Sequence, residues 1–316
     1  LGYSKSKNPS RLYAHPASIP LTRSSHMEST IESVESVEYN FLKRICRGKF
    51  AEVFDGEEVD VHGRVVPVAI KVMELKSQAL FELDILEKIR DGPHIVRCLN
   101  DFELDGNRCI VFEKLDCTLF EVLQNSKKHG QPGLSLPLIR KLARQIAHAL
   151  AHLQKNHVIH GDIKPENVMF KNRKRANVKL IDFGLSSENE CDLLPMQSLF
   201  YRAPEVVFDG RGDHKIDVWS FGALLFELFT GAPLFEVVQE EELATKMLEL
   251  TDLQSPADRM LALLRRCDVP MQYWKPRCKD LVRFLGLLER TLRRDPESRI
   301  SAVEILCHPF FCSVER

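Results

Sequence analysis

The chain has 316 residues, of which 44% are hydrophobic, so it is long enough to bury the cores of two compact lobes. Its 44 basic and 45 acidic side chains leave a net charge of −1, which disfavours a nucleic-acid binder that relies on a broad basic surface. The nine cysteines are odd in number and lack paired CxxC spacing, which predicts reduced thiols in a cytoplasmic or nuclear protein.

Residues 1–38 are rich in Ser, Pro, Lys and Glu and have few periodic apolar positions, which predicts a disordered leader. The N-terminus lacks a continuous apolar core, so no signal peptide is predicted. The longest apolar region, 218–235, is interrupted by Ser220, Glu227 and Thr230, and this pattern favours a buried helix over a membrane span. We therefore expect no membrane partner, and the oligomeric state is left open.

Between residues 39 and 114, short alternating apolar runs broken by turns predict a small β-rich lobe. One of these runs, Val68 to Ile70, leads into Lys71. Packing does not explain a lysine at this position, which favours a functional role; the alternative is an exposed lysine on an edge strand. A helical segment from Gln78 to Ile89 interrupts the strands. The threefold spacing in this segment predicts that four apolar residues share a face, with Glu82 to one side of it: Leu80, Leu83, Leu86 and Ile89.

The stretch from His160 to Asn167 places a carboxylate, an ammonium and a carboxamide in one polar loop. The apolar residues on both sides of the loop predict two buried strand-like segments that hold it in place. Asp162 can accept a proton from a hydroxyl nucleophile, Lys164 can neutralise charge on a phosphoryl group, and Asn167 can offer an amide oxygen to a hard cation. The loop therefore predicts phosphoryl transfer, although Asp-x-Lys also arises by chance in surface turns.

The chain from residue 115 to 316 is mostly helical in its periodicity. Its clearest helices are predicted from Ile139 to Gln154 and from Ile216 to Thr230. The predicted fold class is therefore α+β, with a small antiparallel sheet lobe at 39–114 and a larger, mainly helical lobe at 115–316.

These motifs resemble those of eukaryotic protein kinases. The polar loop is similar to the catalytic loop H-R-D-L-x-x-x-N, with Gly161 in place of the usual arginine, and the strand ending at Lys71 is similar to V-A-I-K. A D-F-G triplet begins at Asp182, after an apolar strand and twenty residues beyond Asp162. Glu205 ends an A-P-E triplet, and Arg299 is placed to pair with it. The resemblance implies the bilobal protein kinase fold.

The resemblance also implies roles for individual residues. Asp162 would orient and deprotonate the substrate hydroxyl, Lys164 and Lys71 would stabilise the phosphoryl charge, and Glu82 would pair with Lys71. Asn167 and Asp182 would hold Mg²⁺, and the protein partners would carry Ser or Thr acceptors. The residues implied to contact ATP are Cys46, Gly48, Ala51, Val53, Ala69, Lys71, Phe112, Glu113, Leu115 and Met169.

The stretch Gln197 to Glu205 reads Q-S-L-F-Y-R-A-P-E, which is similar to that of the dual-specificity tyrosine-regulated and homeodomain-interacting kinases of the CMGC group. Lys164 after the catalytic aspartate resembles serine/threonine kinases, and Arg202 implies a preference for proline after the acceptor. The chain departs from that branch at Leu193 and Pro195, where its paired tyrosines would fall, and in a short insert before Leu281.

The glycine-rich loop of kinases is only partly matched. Gly48 remains, but Cys46 and Ala51 stand at the other two glycine positions, and the stretch also reads as an ordinary strand turn. This loss favours an alternative function, that of a pseudokinase acting as a nucleotide-binding or scaffolding module. The retained charged and amide groups favour an active ATP-dependent serine/threonine kinase, and a test of turnover distinguishes the two.

The sequence also predicts how the segment between Asp182 and Glu205 is controlled. Gly161 cannot bind a phosphate on this segment as the usual arginine does, and Ser198 aligns with a hydroxyl that contacts the catalytic Asp and Lys. The apolar stretch from Leu193 to Met196 could instead dock by burial. We therefore expect activity without phosphorylation of this segment.

Overall fold

The structure of the chain is a computed structural model. It describes residues 12–13, 37–48, 51–131, 133–188, 191–192, 197–253, 255–266 and 279–312. The predicted apolar stretch Leu193 to Met196 and most of the predicted leader lie outside the described residues. The chain divides into two compact units, Leu1–Leu86 with Val96–Lys114 and Glu87–Ile95 with Leu115–Arg316, so 87–95 falls in the second unit and not, as predicted, in the sheet lobe.

The first unit is built on an antiparallel sheet in the strand order β1-β2-β3-β4-β6-β5. Alternate residues of the central strands point to opposite faces, and one face packs Val68 and Ile70 against Tyr39, Phe102 and Val111 in a buried core. The strands are β1 Leu12–Tyr13, β2 Glu38–Arg47, β3 Ala51–Val59, β4 Val65–Met73, β5 Cys98–Leu104 and β6 Asn107–Glu113.

The helix after β4 is α1, Lys76–Lys88. The predicted face was only partly right: Leu86 and Ile89 are buried, but Leu80 is 51% exposed, and Glu82 is buried together with Ala79 and Ile85. These buried positions recur at three- and four-residue spacing, as they do on a helix of 3.6 residues per turn, and Glu82 lies in the middle of them. The spacing of the apolar residues alone could not identify the buried face, because this helix also buries the Glu82 carboxylate, whose partner Lys71 lies on β4.

The second unit is mainly helical, and α5 forms its centre. Every residue of α5 from Ile216 to Leu228 is buried, and α3 presents one apolar face to it, as the two predicted helices require. The helices are α2 Leu119–Lys128, α3 Leu136–Lys155, α4 Pro204–Asp209, α5 Lys215–Thr230, α6 Glu240–Thr251, α7 Pro256–Arg266, α8 Lys279–Thr291 and α9 Ala302–Leu306. Among the described residues, no helix has both the length and the apolar character needed to cross a membrane.

Short antiparallel strand pairs fix the loops of the second unit. β7 pairs with β10, β8 with β9, and β11 with β12. The polar loop 160–167 lies between β7 and β8, as the apolar flanks predict. These strands are β7 Val158–Ile159, β8 Val168–Asn172, β9 Asn177–Leu180, β10 Ser187–Glu188, β11 Cys191–Asp192 and β12 Arg211–Gly212.

A buried ion pair fastens α4 to the segment before α9. Arg299 contacts both carboxylate oxygens of Glu205, at 2.6 and 2.8 Å, which confirms the predicted pair. Its remaining donors bind the carbonyls of Lys215, Arg293 and Arg294, so the guanidinium is fully hydrogen-bonded although it is entirely buried.

Replacing Arg299 with methionine should lower the free energy of unfolding by about 3–5 kcal/mol, because Glu205 then keeps a buried charge without its cation. Urea denaturation followed by circular dichroism measures this. The matched control is Arg294→Met, whose partner Asp252 is exposed, and its cost should stay below about 1 kcal/mol. Equal stability of the two variants would contradict the assignment, and Arg299→Met/Glu205→Leu should recover part of the loss.

Candidate active site

Lys71 and Glu82 form an ion pair within the first unit. The Lys71 Nζ lies 2.8 and 2.7 Å from the two carboxylate oxygens of Glu82. Glu82 is only 1% exposed, and a buried carboxylate is tolerated when it has a charged hydrogen-bond partner. The pair therefore joins the C-terminal part of β4 to the buried face of α1, and it holds the Lys71 ammonium in a fixed direction.

Five of the predicted nucleotide contacts in the first unit share one face of its sheet. Residues directly opposite in antiparallel strands point to the same side, and Cys46 lies opposite Val53, which lies opposite Lys71. Ala69, two residues before Lys71, lies opposite Phe112 on the same face, while Val68 and Ile70 enter the core behind it. This face of the sheet therefore carries small and apolar side chains next to the Lys71 ammonium. A ligand with a flat ring system and an attached anionic group requires such a surface.

The remaining predicted nucleotide contacts are distributed over both units. In the first unit, the Gly48 amide donates to the Ala51 carbonyl at 2.8 Å, which closes the turn of the first hairpin, and Glu113 ends β6. Leu115 is buried in the second unit, where Met169 lies in β8 and is half-buried. Their contact with ATP remains a prediction.

The polar loop is organised around the carboxylate of Asp162. One oxygen accepts the Ser198 hydroxyl at 2.8 Å, and the other accepts the Asn167 amide at 2.9 Å and lies 2.6 Å from the Lys164 ammonium. Lys164 also donates to the Ser198 hydroxyl at 2.9 Å, which is the contact predicted for this serine. The structure therefore brings together four of the polar groups that the motifs identified in this unit, Asp162, Lys164, Asn167 and Ser198, and the carboxylate already accepts an alcohol O–H.

Gly161 and Asp217 set the backbone of this loop. Gly161 has φ of +73°, a conformation that costs glycine little, and it is followed directly by Asp162. The Asp217 carboxylate accepts the backbone N–H groups of His160, at 2.7 Å, and Gly161, at 3.0 Å. Burial raises the pKa of Asp217 above its usual value, although both hydrogen bonds oppose this. Sequence reasoning missed that Asp217, which begins a D-V-W-S stretch, positions the loop.

The D-F-G triplet is tied to the same loop. The Ile181 amide donates to the Asn167 carbonyl at 3.0 Å, and Phe183 is buried with its ring 4.8 Å from the His160 ring. Asp182 has φ of +62°, which is uncommon for a residue with a side chain and is found at functional sites. The strained aspartate is thus held by a buried residue on its C-terminal side and by the loop on its N-terminal side.

Asn167 and Asp182 have the oxygen donors that suit Mg²⁺. The Asn167 amide nitrogen binds the Asp162 carboxylate and carbonyl, which turns its amide oxygen away from them. No group of three or more His, Cys, Asp or Glu in a metal-binding arrangement occurs in the described ranges, but Mg²⁺ commonly takes one or two carboxylates and completes its shell with phosphate oxygens and water. The oxygen atoms of Asn167 and Asp182 therefore suit a Mg²⁺ ion that is bound together with the phosphate groups of a substrate.

Gln197 and Arg202 form a further arrangement that the sequence did not reveal. Gln197 has φ of +67°, its N–H donates to the Gly161 carbonyl at 2.8 Å, and its carbonyl accepts from the Arg202 guanidinium at 3.0 and 3.3 Å. Its side chain is fixed by Ile216, Ser220 and Ala203. A positive φ at a non-glycine residue has no local sequence signal, because these distant partners impose it.

Comparisons with known proteins agree with this geometry. A family model described as "Protein kinase domain" matches residues 39–311. The human "Dual specificity tyrosine-phosphorylation-regulated kinase 3" is 32% identical over 86% of this chain and 53% of its own length. "Serine/threonine-protein kinase ppk5" of Schizosaccharomyces pombe is 33% identical over 86% of this chain and 35% of its own length. The chain therefore spans about half or less of these relatives.

Proposed function

This chain belongs to the protein kinase family, and from that premise we propose that it transfers the γ-phosphoryl group of ATP to serine and threonine hydroxyls of proteins. The observation that carries the proposal is the set of contacts around Asp162, in which Ser198, Asn167 and Lys164 hold its carboxylate. The names of the relatives add tyrosine as a third acceptor to test.

We assign the steps to the chain's own residues as follows. Asp162 accepts the proton of the substrate hydroxyl while the oxygen attacks the phosphorus, and Lys164 stabilises the charge on the transferred group. Lys71, oriented by Glu82, holds the α- and β-phosphates and does not take part in proton transfer. Mg²⁺ bound by Asn167 and Asp182 would neutralise charge on the phosphate oxygens.

ADP formation tests the proposal against the alternative of a nucleotide-binding scaffold. The purified chain is mixed with ATP, Mg²⁺ and either a serine peptide or its alanine counterpart. We expect ADP release that depends on the hydroxyl. A thermal shift with ATP but no peptide-dependent ADP would overturn the proposal and support the pseudokinase reading, which the described residues do not favour because each of the groups assigned to the chemistry is present.

We further propose that the acceptor is followed by proline. The Gln197 carbonyl accepts from the Arg202 guanidinium, so it is not free to accept the N–H of the next substrate residue. Proline has no N–H to satisfy, whereas any other residue would lose a hydrogen bond worth about 1–3 kcal/mol when its N–H is buried.

The selectivity should appear as a ratio of kcat/KM between two peptides that differ only in proline or alanine after the acceptor. We expect a ratio of about 5 to 150, from the cost of one unsatisfied N–H. Arg202→Met frees the Gln197 carbonyl and should bring the ratio close to one. Glu240→Gln is the control, because it removes only the exposed ion pair of Arg202 and should leave the ratio unchanged. A ratio that Arg202→Met does not alter would contradict the mechanism.

The described residues of the segment after the D-F-G triplet make contacts that involve no phosphate. Ser186 donates to the His160 carbonyl, Tyr201 donates to Glu227, and Ser198 is bound by Asp162 and Lys164. Burial raises the pKa of both Tyr201 and Glu227, and their hydrogen bond keeps the tyrosine hydroxyl inside. These contacts order the segment in place of the phosphorylated residue that does so in other kinases. Gly161 has no guanidinium that could bind such a phosphate.

Phosphatase-treated enzyme should therefore keep most of its activity on an exogenous peptide. Mass spectrometry confirms removal of phosphate from residues 182–205, and mock-treated enzyme is the control. Near-complete loss of activity, restored by a single phosphate in this segment, would contradict the prediction.

We also propose a cytoplasmic or nuclear location. The cysteines whose side chains are described carry free thiols, which is typical of reducing compartments: Cys46, Cys98, Cys109, Cys117, Cys307 and Cys312. The substrates are expected to be proteins and not nucleic acids, since the chain is nearly neutral.

A further inference from the structure

The turn between β8 and β9 concentrates positive charge in a chain whose net charge is −1. Arg173, Lys174 and Arg175 form a single 3₁₀ turn, and all three are exposed. We call these three residues the basic turn. Lys141 of α3 adds a fourth cation, because its ammonium donates to the Arg175 carbonyl at 2.7 Å.

The backbone of the basic turn is fixed on both sides. The Asn172 side chain accepts the Arg175 N–H at 3.1 Å and caps the turn. Gln145 of α3 donates to the Ala176 carbonyl at 2.8 Å and accepts the Val178 N–H at 3.0 Å. A ligand that binds here would therefore not need to order the backbone, which is one of the main costs of binding to a loop.

The side chains of the basic turn lack ion-pair partners in the described part of the chain. Within the ranges that the structure describes, none of its three side chains forms an ion pair with an acidic side chain, although the Arg173 backbone N–H contacts the Asp116 carboxylate at 3.4 Å. Some exposed basic residues elsewhere in the second unit do have acidic partners: Arg90 with Glu87, Lys246 with Glu242 and Arg294 with Asp252. Adjacent like charges on a fixed turn repel one another, and an acidic partner would relieve that repulsion.

We propose that the basic turn is a docking site for an acidic segment, rich in Asp and Glu, of the proteins that this chain phosphorylates; this rests on the proposed function. The turn rises about 2 Å per residue, so its charges span only a few residues of an extended peptide. Such a footprint suits a short acidic segment better than a nucleic-acid or membrane surface. The five residues of β8 separate Asn167 from the basic turn by about 17 Å. The acidic segment of a substrate therefore binds at a distance from the acceptor residue of the same substrate.

Binding is measured first, independently of catalysis. Fluorescence anisotropy follows a labelled oligoglutamate peptide, with oligoglutamine as the neutral comparison. The variant Arg173→Gln/Lys174→Gln/Arg175→Gln keeps every backbone contact of the turn and should weaken binding by about 3- to 100-fold. The control Lys155→Gln/Arg265→Gln/Lys279→Gln removes three exposed charges from the same unit and should leave binding unchanged. Equal binding by all three proteins, or equal loss in both variants, would overturn the proposal.

Duplex DNA and vesicles of anionic lipid are tested on the same proteins. If the basic-turn variant loses affinity for either of these while it keeps its affinity for oligoglutamate, the partner class is wrong and the proposal fails. We expect the opposite pattern.

A kinetic measurement then links the site to phosphorylation. An acceptor peptide is joined to oligoglutamate through a Gly-Ser linker of about ten residues, whose mean span is close to the distance above. The basic-turn variant should raise KM for this peptide and leave kcat unchanged, and it should have no effect on the oligoglutamine version. Unchanged kinetics for both peptides would overturn substrate docking. If no protein transfers phosphate at all, the proposed function fails, and the anisotropy result still decides whether acidic segments bind.

Discussion

Replacing Asp162 with asparagine should lower kcat on a serine peptide by about 10²- to 10⁴-fold, because the amide cannot accept the proton of the attacking hydroxyl. The fold should persist, since the loop is positioned by β7, β8 and the Asp217 carboxylate. The amide oxygen can still accept the Ser198 hydroxyl, so we expect a change of about 1–2 kcal/mol at most in the free energy of unfolding.

The matched control for this prediction is Asp209→Asn, which makes the same chemical change at an exposed residue of α4. It should keep the parent kcat. If purified Asp162→Asn phosphorylates the peptide as fast as the parent, the assignment of Asp162 as the proton acceptor is wrong.

Replacing Lys71 with methionine should lower kcat/KM for ATP by about 10²- to 10³-fold, because it removes a cation directed at the phosphates. The same change leaves Glu82 buried without this partner, so we also expect a loss of about 3–5 kcal/mol in stability. These two effects must be separated.

The double variant Lys71→Met/Glu82→Leu separates them. Its thermal stability should recover, since no carboxylate is left buried at this position, while its activity should stay as low as that of Lys71→Met. Recovery of activity together with stability would contradict the role of Lys71 and would show that the single variant fails through loss of fold.

The sequence was sufficient for the parts of the site that are local in the chain. The loop 160–167 carries its chemistry within eight residues, and the apolar residues that hold it are its immediate neighbours. The ion pair between Glu205 and Arg299 spans 94 positions, yet the motif order identified it. Residue type and spacing were therefore sufficient to predict a contact where both of its residues belong to motifs.

The remaining features depend on contacts that no local pattern contains. The burial of Glu82 reflects Lys71 on a different element, so the leucine spacing of α1 predicted burial of Leu80 and missed that of Glu82. The positive φ of Gln197 results from Gly161, Arg202 and Ser220 acting together. These are tertiary effects, and they override the local preferences that sequence reasoning reads.

The central claim is that the groups around Asp162 catalyse transfer from ATP to a protein hydroxyl. It is tested most directly by incubating the chain with Mg²⁺ and ATP labelled with ¹⁸O in its γ-phosphoryl group, together with peptides that carry Ser, Thr, Tyr or Ala at the acceptor position. Mass spectrometry should find the labelled phosphoryl group on the Ser and Thr peptides, in amounts that Asp162→Asn abolishes. Nucleotide binding without labelled phosphopeptide, or equal labelling by Asp162→Asn, would contradict the account.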